Sequence, residues 1–174
     1  MLAEEIELRA LGAGVELSLN EREWTALARL ALNMQAVRHA YEAEIAVATL
    51  RENGQQRLEI PAYVEAGAAL RTEFYSELLK ELGESGAMEV VRKLSDRLEA
   101  RFAGFGAAVQ TLDFSRDGIS EADAVSVTRT VVYWNETSRT RSETIFPQME
   151  DPDGLQWGPL LARVGAGQAK KARG

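Results

Sequence analysis

His39 and Glu42 stand three residues apart in His39-Ala40-Tyr41-Glu42, which puts an imidazole and a carboxylate on one face of a helix. This pair is the chain's candidate for catalysis, with Glu42 or another acid assisting a lone histidine in proton transfer. The same spacing occurs in carboxylate metal sites, but those take further ligands from other helices. His39 is the only histidine, and no second Glu/His motif accompanies it. The sequence therefore assigns no metal and calls for no cofactor, and a structural or surface histidine is the plainer reading.

Arg129 is the candidate for ligand binding. On a strand through Val125, Val127, Val131 and Tyr133 it falls in the middle of the apolar face. An inward arginine needs an anionic partner or ligand, because an unpaired buried charge is costly. Its guanidinium fork would suit a carboxylate or phosphate. An edge strand, a bulge that flips the register, or a side chain snorkelling at the sheet rim would account for it without a ligand.

Other motifs carry less. Asp151-x-Asp153-Gly154 resembles the start of a calcium loop, but the glycine is misplaced and no glutamate closes it, so it reads as a turn. Gly104-Phe105-Gly106 follows a helix, whereas phosphate loops follow a strand and open a helix. No Gly-x-Ser-x-Gly elbow surrounds Ser138 or Ser142. Asn135-Glu136-Thr137 matches a glycosylation acceptor, a pattern frequent by chance. The chain has no cysteine, which excludes disulfides, thiol nucleophiles and Cys-ligated metals.

These groups must be positioned by a small set of elements. Residues 4–19 read as extended, because Ile6 and Leu8, then Val15, Leu17 and Leu19, alternate with polar residues around Gly12-Ala13-Gly14. Asn20 and Glu23 form a capping-box pattern and open one long helix, expected to run to about Asn53 and stop at Gly54. Its apolar positions include Trp24, Leu27, Ala31, Met34, Tyr41 and Ile45, with Leu30, Val37 and Leu50 beside them, a face wide enough to be covered on more than one side. Arg57–Ile60 should be extended before Pro61. A second helix is expected from about Pro61 to Leu82, ended by Gly83, and a third from Ser85 or Gly86 to about Ala103. Gly67, between Ala66 and Ala68, marks a close-contact point where another backbone approaches. Tyr63, Phe74, Tyr75, Phe102 and Phe105 should build the seam between helices and sheet.

Three strands follow in the reading: residues 108–115, Ala124–Trp134, and Arg139–Phe146, with turns at Arg116-Asp117-Gly118 and Asn135-Glu136-Thr137-Ser138. The order predicts an α+β fold: an N-terminal extended segment, about three helices of which one is long, then an antiparallel sheet of about three strands. At 174 residues, 45% apolar and 27% charged, the chain suits one domain, residues 1–162, followed by a basic, flexible tail at 163–174. That tail holds Arg163, Lys170, Lys171 and Arg173 and no acid.

The net charge of −7 argues against nucleic acid as a partner, since phosphate backbones need a basic footprint. No apolar run approaches a membrane span. MLAEEIELRA lacks the features of a signal peptide, so a cytoplasmic location is the default, with a periplasmic or exported one if a signal has been removed. The leading expectation is a non-enzymatic interaction or regulatory module that self-associates, or meets another protein, through its helix faces. The alternatives are a small-molecule domain with an anionic ligand between helices and sheet, anchored by Arg129, and a small enzyme using a carboxylate with His39.

Overall fold

The computed structural model describes residues 2–53, 55–115, 124–133, 137–147, 151 and 154–172, with side chains described between residues 7 and 165. Among them are four helices and a five-stranded antiparallel sheet. The helices are α1 (Leu2–Gly12), α2 (Glu21–Ile45), α3 (Val64–Arg101) and α4 (Gly158–Ala172). The strands are β1 (Val47–Leu50), β2 (Gln56–Ile60), β3 (Val109–Ser115), β4 (Val125–Val132) and β5 (Ser138–Ile145). They pair in sequence order, β1 to β5, so β1 and β5 are the edges. The α+β class holds, and the sheet has five strands rather than about three.

The N-terminal segment is not extended throughout. Leu2–Gly12 is helical. Its leucine, alanine and glutamate content favours a helix over the β-branched composition a strand would need. Tertiary contacts hold it: Glu7 and Leu11, one turn apart, are both buried, and Arg97 donates to the Leu11 carbonyl at 2.9 Å. The extended path begins after Gly12, where Val15, Leu17 and Leu19 lie on the helical core without joining the sheet.

Asn20 caps α2 as its pattern predicts. Its side chain accepts from the Glu23 amide at 3.0 Å, and Glu23 accepts in turn from the Asn20 amide at 2.8 Å. The helix ends at Ile45, about two turns before the expected stop. Ala46 is extended, with φ −67° and ψ 143°. No breaker residue stands there. Val47–Leu50 instead pairs with Gln56–Ile60 as the first hairpin of the sheet, and Arg163 of α4 donates to the freed Ala46 carbonyl at 3.0 Å. Strand pairing and a distant side chain decide this boundary. Gly54, the expected stop, lies outside the described residues, as do Arg116–Gly118, Trp134–Glu136, Asp153, and the side chains of Lys170, Lys171 and Arg173.

The second and third expected helices are the two halves of α3. Gly83 divides them with φ 69° and ψ 176°, a left-handed φ that favours glycine. The C-terminal residues expected as a flexible tail are helical in α4 as far as Ala172. No helix among the described residues is long and apolar enough to cross a membrane.

Two cores result. One is helical, with Leu27, Ala31 and Met34 of α2 against Phe74, Leu78, Leu94, Leu98 and Phe102 of α3. The other lies between the sheet, the C-terminal part of α2 and α4, around Leu58, Ile60, Leu112, Phe114, Val127 and Trp157. Helix α2 runs through both. Where it passes from one to the other, its inward stripe changes from apolar to polar, at Gln35, Arg38, His39 and Glu42, all buried.

Candidate functional site

Position Tyr63 first. The chain turns into β3 through the 3₁₀ turn Ala103–Gly106, which abuts the start of α3. A Cβ on Gly67 would lie 1.7 Å from the Phe105 carbonyl oxygen, and one on Gly106 would lie 2.3 Å from the Tyr63 ring. The two glycines therefore let the backbones meet. Ala103 and Phe105 both take φ 50°, a conformation that costs a non-glycine residue energy and persists only where packing enforces it. The Tyr63 amide donates to the Gly106 carbonyl at 2.9 Å. The ring then carries its hydroxyl to Glu42, donating to Oε1 at 2.6 Å.

Glu42 is the centre of the buried network. It is fully buried and accepts from Arg38 Nη1 at 2.7 Å, from Tyr63, from Gln110 Nε2 at 3.2 Å, and from Arg129 Nη1 at 3.2 Å. Burial alone would raise its carboxyl pKa. The Arg129 and Arg38 guanidiniums, with smaller help from His39 and the Tyr63 hydroxyl, outweigh this and hold it down to about 2. Burial and the neighbouring carboxylate push the Tyr63 phenol up. Glu42 is thus an ion-paired carboxylate at any ordinary pH.

His39 lies beside it, 1% exposed. Its Nδ1 is 2.7 Å from the Gln156 carbonyl, so Nδ1 carries the proton and donates. Nε2 then accepts from Arg38 Nη2 at 3.2 Å and Arg129 Nη2 at 3.1 Å. The ring packs against Trp157 with centroids 4.5 Å apart. Burial first, then the two guanidiniums, hold its pKa well below the ordinary 6.5. With both nitrogens engaged, the ring positions two arginines, and taking a proton from a substrate would require one of those contacts to break. The segment that brings Gln156 is itself tied down: Asp151 accepts from the Gln156 and Trp157 amides at 2.9 and 2.7 Å, and Gln156 Nε2 donates to the Leu32 carbonyl at 2.9 Å.

Arg129 sits on β4, an interior strand, with its side chain 13% exposed and on the sheet's inner face. Its in-register inward neighbours Val127 and Val131 are buried. Neither an edge strand nor a flipped register explains its position. Besides Glu42 and His39, Arg129 Nη1 donates to Gln110 Oε1. The strand register then sets Arg141 of β5 directly opposite Arg129, Arg139 opposite Val131, and Glu143 opposite Val127. These side chains share the inner face, and like charges directly opposite each other repel.

The result is a cavity of about 200 Å³ between α2, the end of α3, β4 and β5. Five arginines line it: Arg38, Arg101, Arg129, Arg139 and Arg141. Arg101 is committed to Glu7 at 2.6 Å and lies 3.8 Å from Glu143. Arg139 and Arg141 meet no carboxylate among the described residues. Two lining residues on α2 keep a buried polar atom without a partner among the described residues: Arg38 Nε, a donor, and Gln35 Oε1. The described residues hold no cluster of three or more His, Cys, Asp or Glu side chains that could hold a metal ion.

The sequence-level candidates His39, Glu42 and Arg129 thus come together at one place, although the residues surrounding them were not anticipated. Arg139, Arg141 and Glu143 recur at every second position, which would have placed them on one strand face. Arg38 and Gln35 continue the spacing of Leu27, Ala31 and Met34, a polar extension of an apolar stripe that was legible but unread. Tyr63 and Gln110 gave no chemical signal beyond their pattern. No protein-family model, curated protein or solved structure matches the chain.

Proposed function

We propose that the chain is a small-molecule-binding domain whose ligand is an anion held in the cavity between α2, the end of α3 and strands β4 and β5. The observation that carries this reading is the concentration of five arginines on one cavity in a chain of net charge −7. Two of them, Arg129 and Arg141, face each other across neighbouring strands. A third, Arg38, keeps a buried donor unpaired. Unsatisfied buried donors and opposed like charges both cost stability, and an anion in the cavity offsets both. The buried network behind the cavity serves as its support. Glu42, His39, Tyr63 and Gln110 lock Arg38 and Arg129 in place, so that little side-chain entropy remains to be lost on binding.

The test is thermal unfolding of the purified chain with sulfate, phosphate and acetate, because a ligand that binds the folded state raises its midpoint. The midpoint should rise with at least one of these anions, and the rise should shrink in Arg141→Gln, whose exposed position spares the fold. Arg129→Met should remove the effect, with circular dichroism checking that the variant is folded. An unchanged midpoint with every anion would refute the reading.

Self-association through helix faces is the second reading. It is supported by Leu79, Met88 and Val91 on α3, which are 51%, 65% and 43% exposed. The apolar face of α2 has partners within this chain, since Met34 is buried in the helical core.

A further inference from the structure

We infer that the cavity selects a dianionic head group, phosphoryl or dicarboxylate, over singly charged anions; this rests on the anion-binding reading above. Count the charges at the site. Arg38 and Arg129 share one carboxylate, Glu42. Arg101 faces two, Glu7 and Glu143. Arg139 and Arg141 face none among the described residues. With His39 held neutral by its burial and its two arginine neighbours, five guanidiniums stand against three carboxylates among the described residues, an excess of two positive charges. A monoanion neutralises half of that excess.

The donors are arranged to match. Arg38 uses Nη1 for Glu42 and Nη2 for His39, which leaves Nε–H, buried and unpartnered. A guanidinium has five N–H donors. Arg129 spends Nη1 on Glu42 and Gln110 and one Nη2 hydrogen on His39, so part of its fork remains available. Arg141 stands opposite Arg129 on the neighbouring strand. Guanidiniums from a helix and from two strands therefore line one cavity, and charge-assisted bonds to a ligand group there are stronger than neutral ones. The rim supplies the second positive charge and the buried pair the first, so the inner arginines set where the head group sits and the β5 arginines set how much charge it carries.

The probes are sulfate against methanesulfonate, which share a sulfur–oxygen head and differ by one charge, and methyl phosphate against malonate and acetate. Titration calorimetry on the full chain in low-chloride buffer gives the affinities. Sulfate should bind about tenfold or more tighter than methanesulfonate. In the double variant Arg139→Gln/Arg141→Gln, which removes two exposed charges and no buried contact, that ratio should fall towards one while methanesulfonate still binds. The tighter of methyl phosphate and malonate names the phosphoryl or the dicarboxylate source. Equal affinity for sulfate and methanesulfonate in the unaltered chain would overturn the dianion inference and leave anion binding standing. A sulfate preference that survives the double variant would also overturn it. Binding of none of the probes would overturn both.

Discussion

Glu42 and His39 behave differently from the acid–base pair their spacing suggests. A carboxylate with two guanidiniums, a phenol and an amide around it does not take up a proton, and an imidazole that accepts from two arginines has no free nitrogen. Both make stability depend on pH in the same direction. Glu42 has its folded-state pKa lowered to about 2 from an ordinary 4.5, so its contribution is complete above that ordinary value and is lost as pH falls below it. His39 has its folded-state pKa lowered from 6.5. Below that value the unfolded chain takes up a proton that the folded chain refuses, so folding again weakens as pH falls. The urea midpoint should therefore decline from about pH 7 to about pH 5 through His39 and more steeply below about pH 4.5 through Glu42, each pKa unit being worth about 1.4 kcal/mol. The upper part of that slope should flatten in His39→Gln. A midpoint that stays level between about pH 7 and pH 5 in the unaltered chain would contradict the assignment.

At the scale of elements, the site depends on a corner far from its charges. The contact of the start of α3 with the Ala103–Gly106 turn places Tyr63 on Glu42 and Ala103 at the cavity wall. Gly67 has no room for a methyl group, since the added carbon would overlap the Phe105 carbonyl oxygen. Gly67→Ala must push the turn away. It should destabilise the fold by roughly 1–3 kcal/mol, the usual range for overpacking, and weaken anion binding although no charge has changed. Gly154→Ala, at a turn where the nearest atom to an added Cβ is 3.9 Å away, has a left-handed φ of its own but no overlap, and should leave binding intact. Equal binding in Gly67→Ala and the unaltered chain would separate the corner from the site. The long helix expected from Asn20 to Asn53 also belongs to this scale. Its start was legible because capping is local. Its end was not, because Ala46 leaves the helix to let Val47–Leu50 pair with β2, a choice made by partners elsewhere in the chain.

At the scale of the whole molecule, exposed apolar side chains bear on self-association. Native mass spectrometry distinguishes the states directly. If the exposed apolar side chains Met88 and Val91, one turn apart on α3, join two copies, the unaltered chain should be a dimer and Met88→Glu a monomer, with little loss of stability because Met88 is 65% exposed. A monomer at every concentration tried would remove the self-association reading and leave the cavity as the functional feature. The two readings are separable, since the dimer test uses α3 and the anion test uses β5.

The sequence by itself determined what depends on neighbouring residues: the capping box at Asn20, the break at Gly83, the strands β3 to β5, and the α+β class that follows from their order. It also singled out Arg129, because a charge inside an alternating apolar strand is visible without a structure. Tertiary structure decided what depends on distant residues. It made Leu2–Gly12 a helix by burying Glu7 against Arg101 and capturing the Leu11 carbonyl with Arg97. It turned Val47–Leu50 into an edge strand, and it brought Arg38, Arg129, Arg139 and Arg141 to one cavity from a helix and two strands. Local propensities are differences of less than about 1 kcal/mol per residue, and burial of apolar side chains together with strand pairing outweighs them where the two disagree.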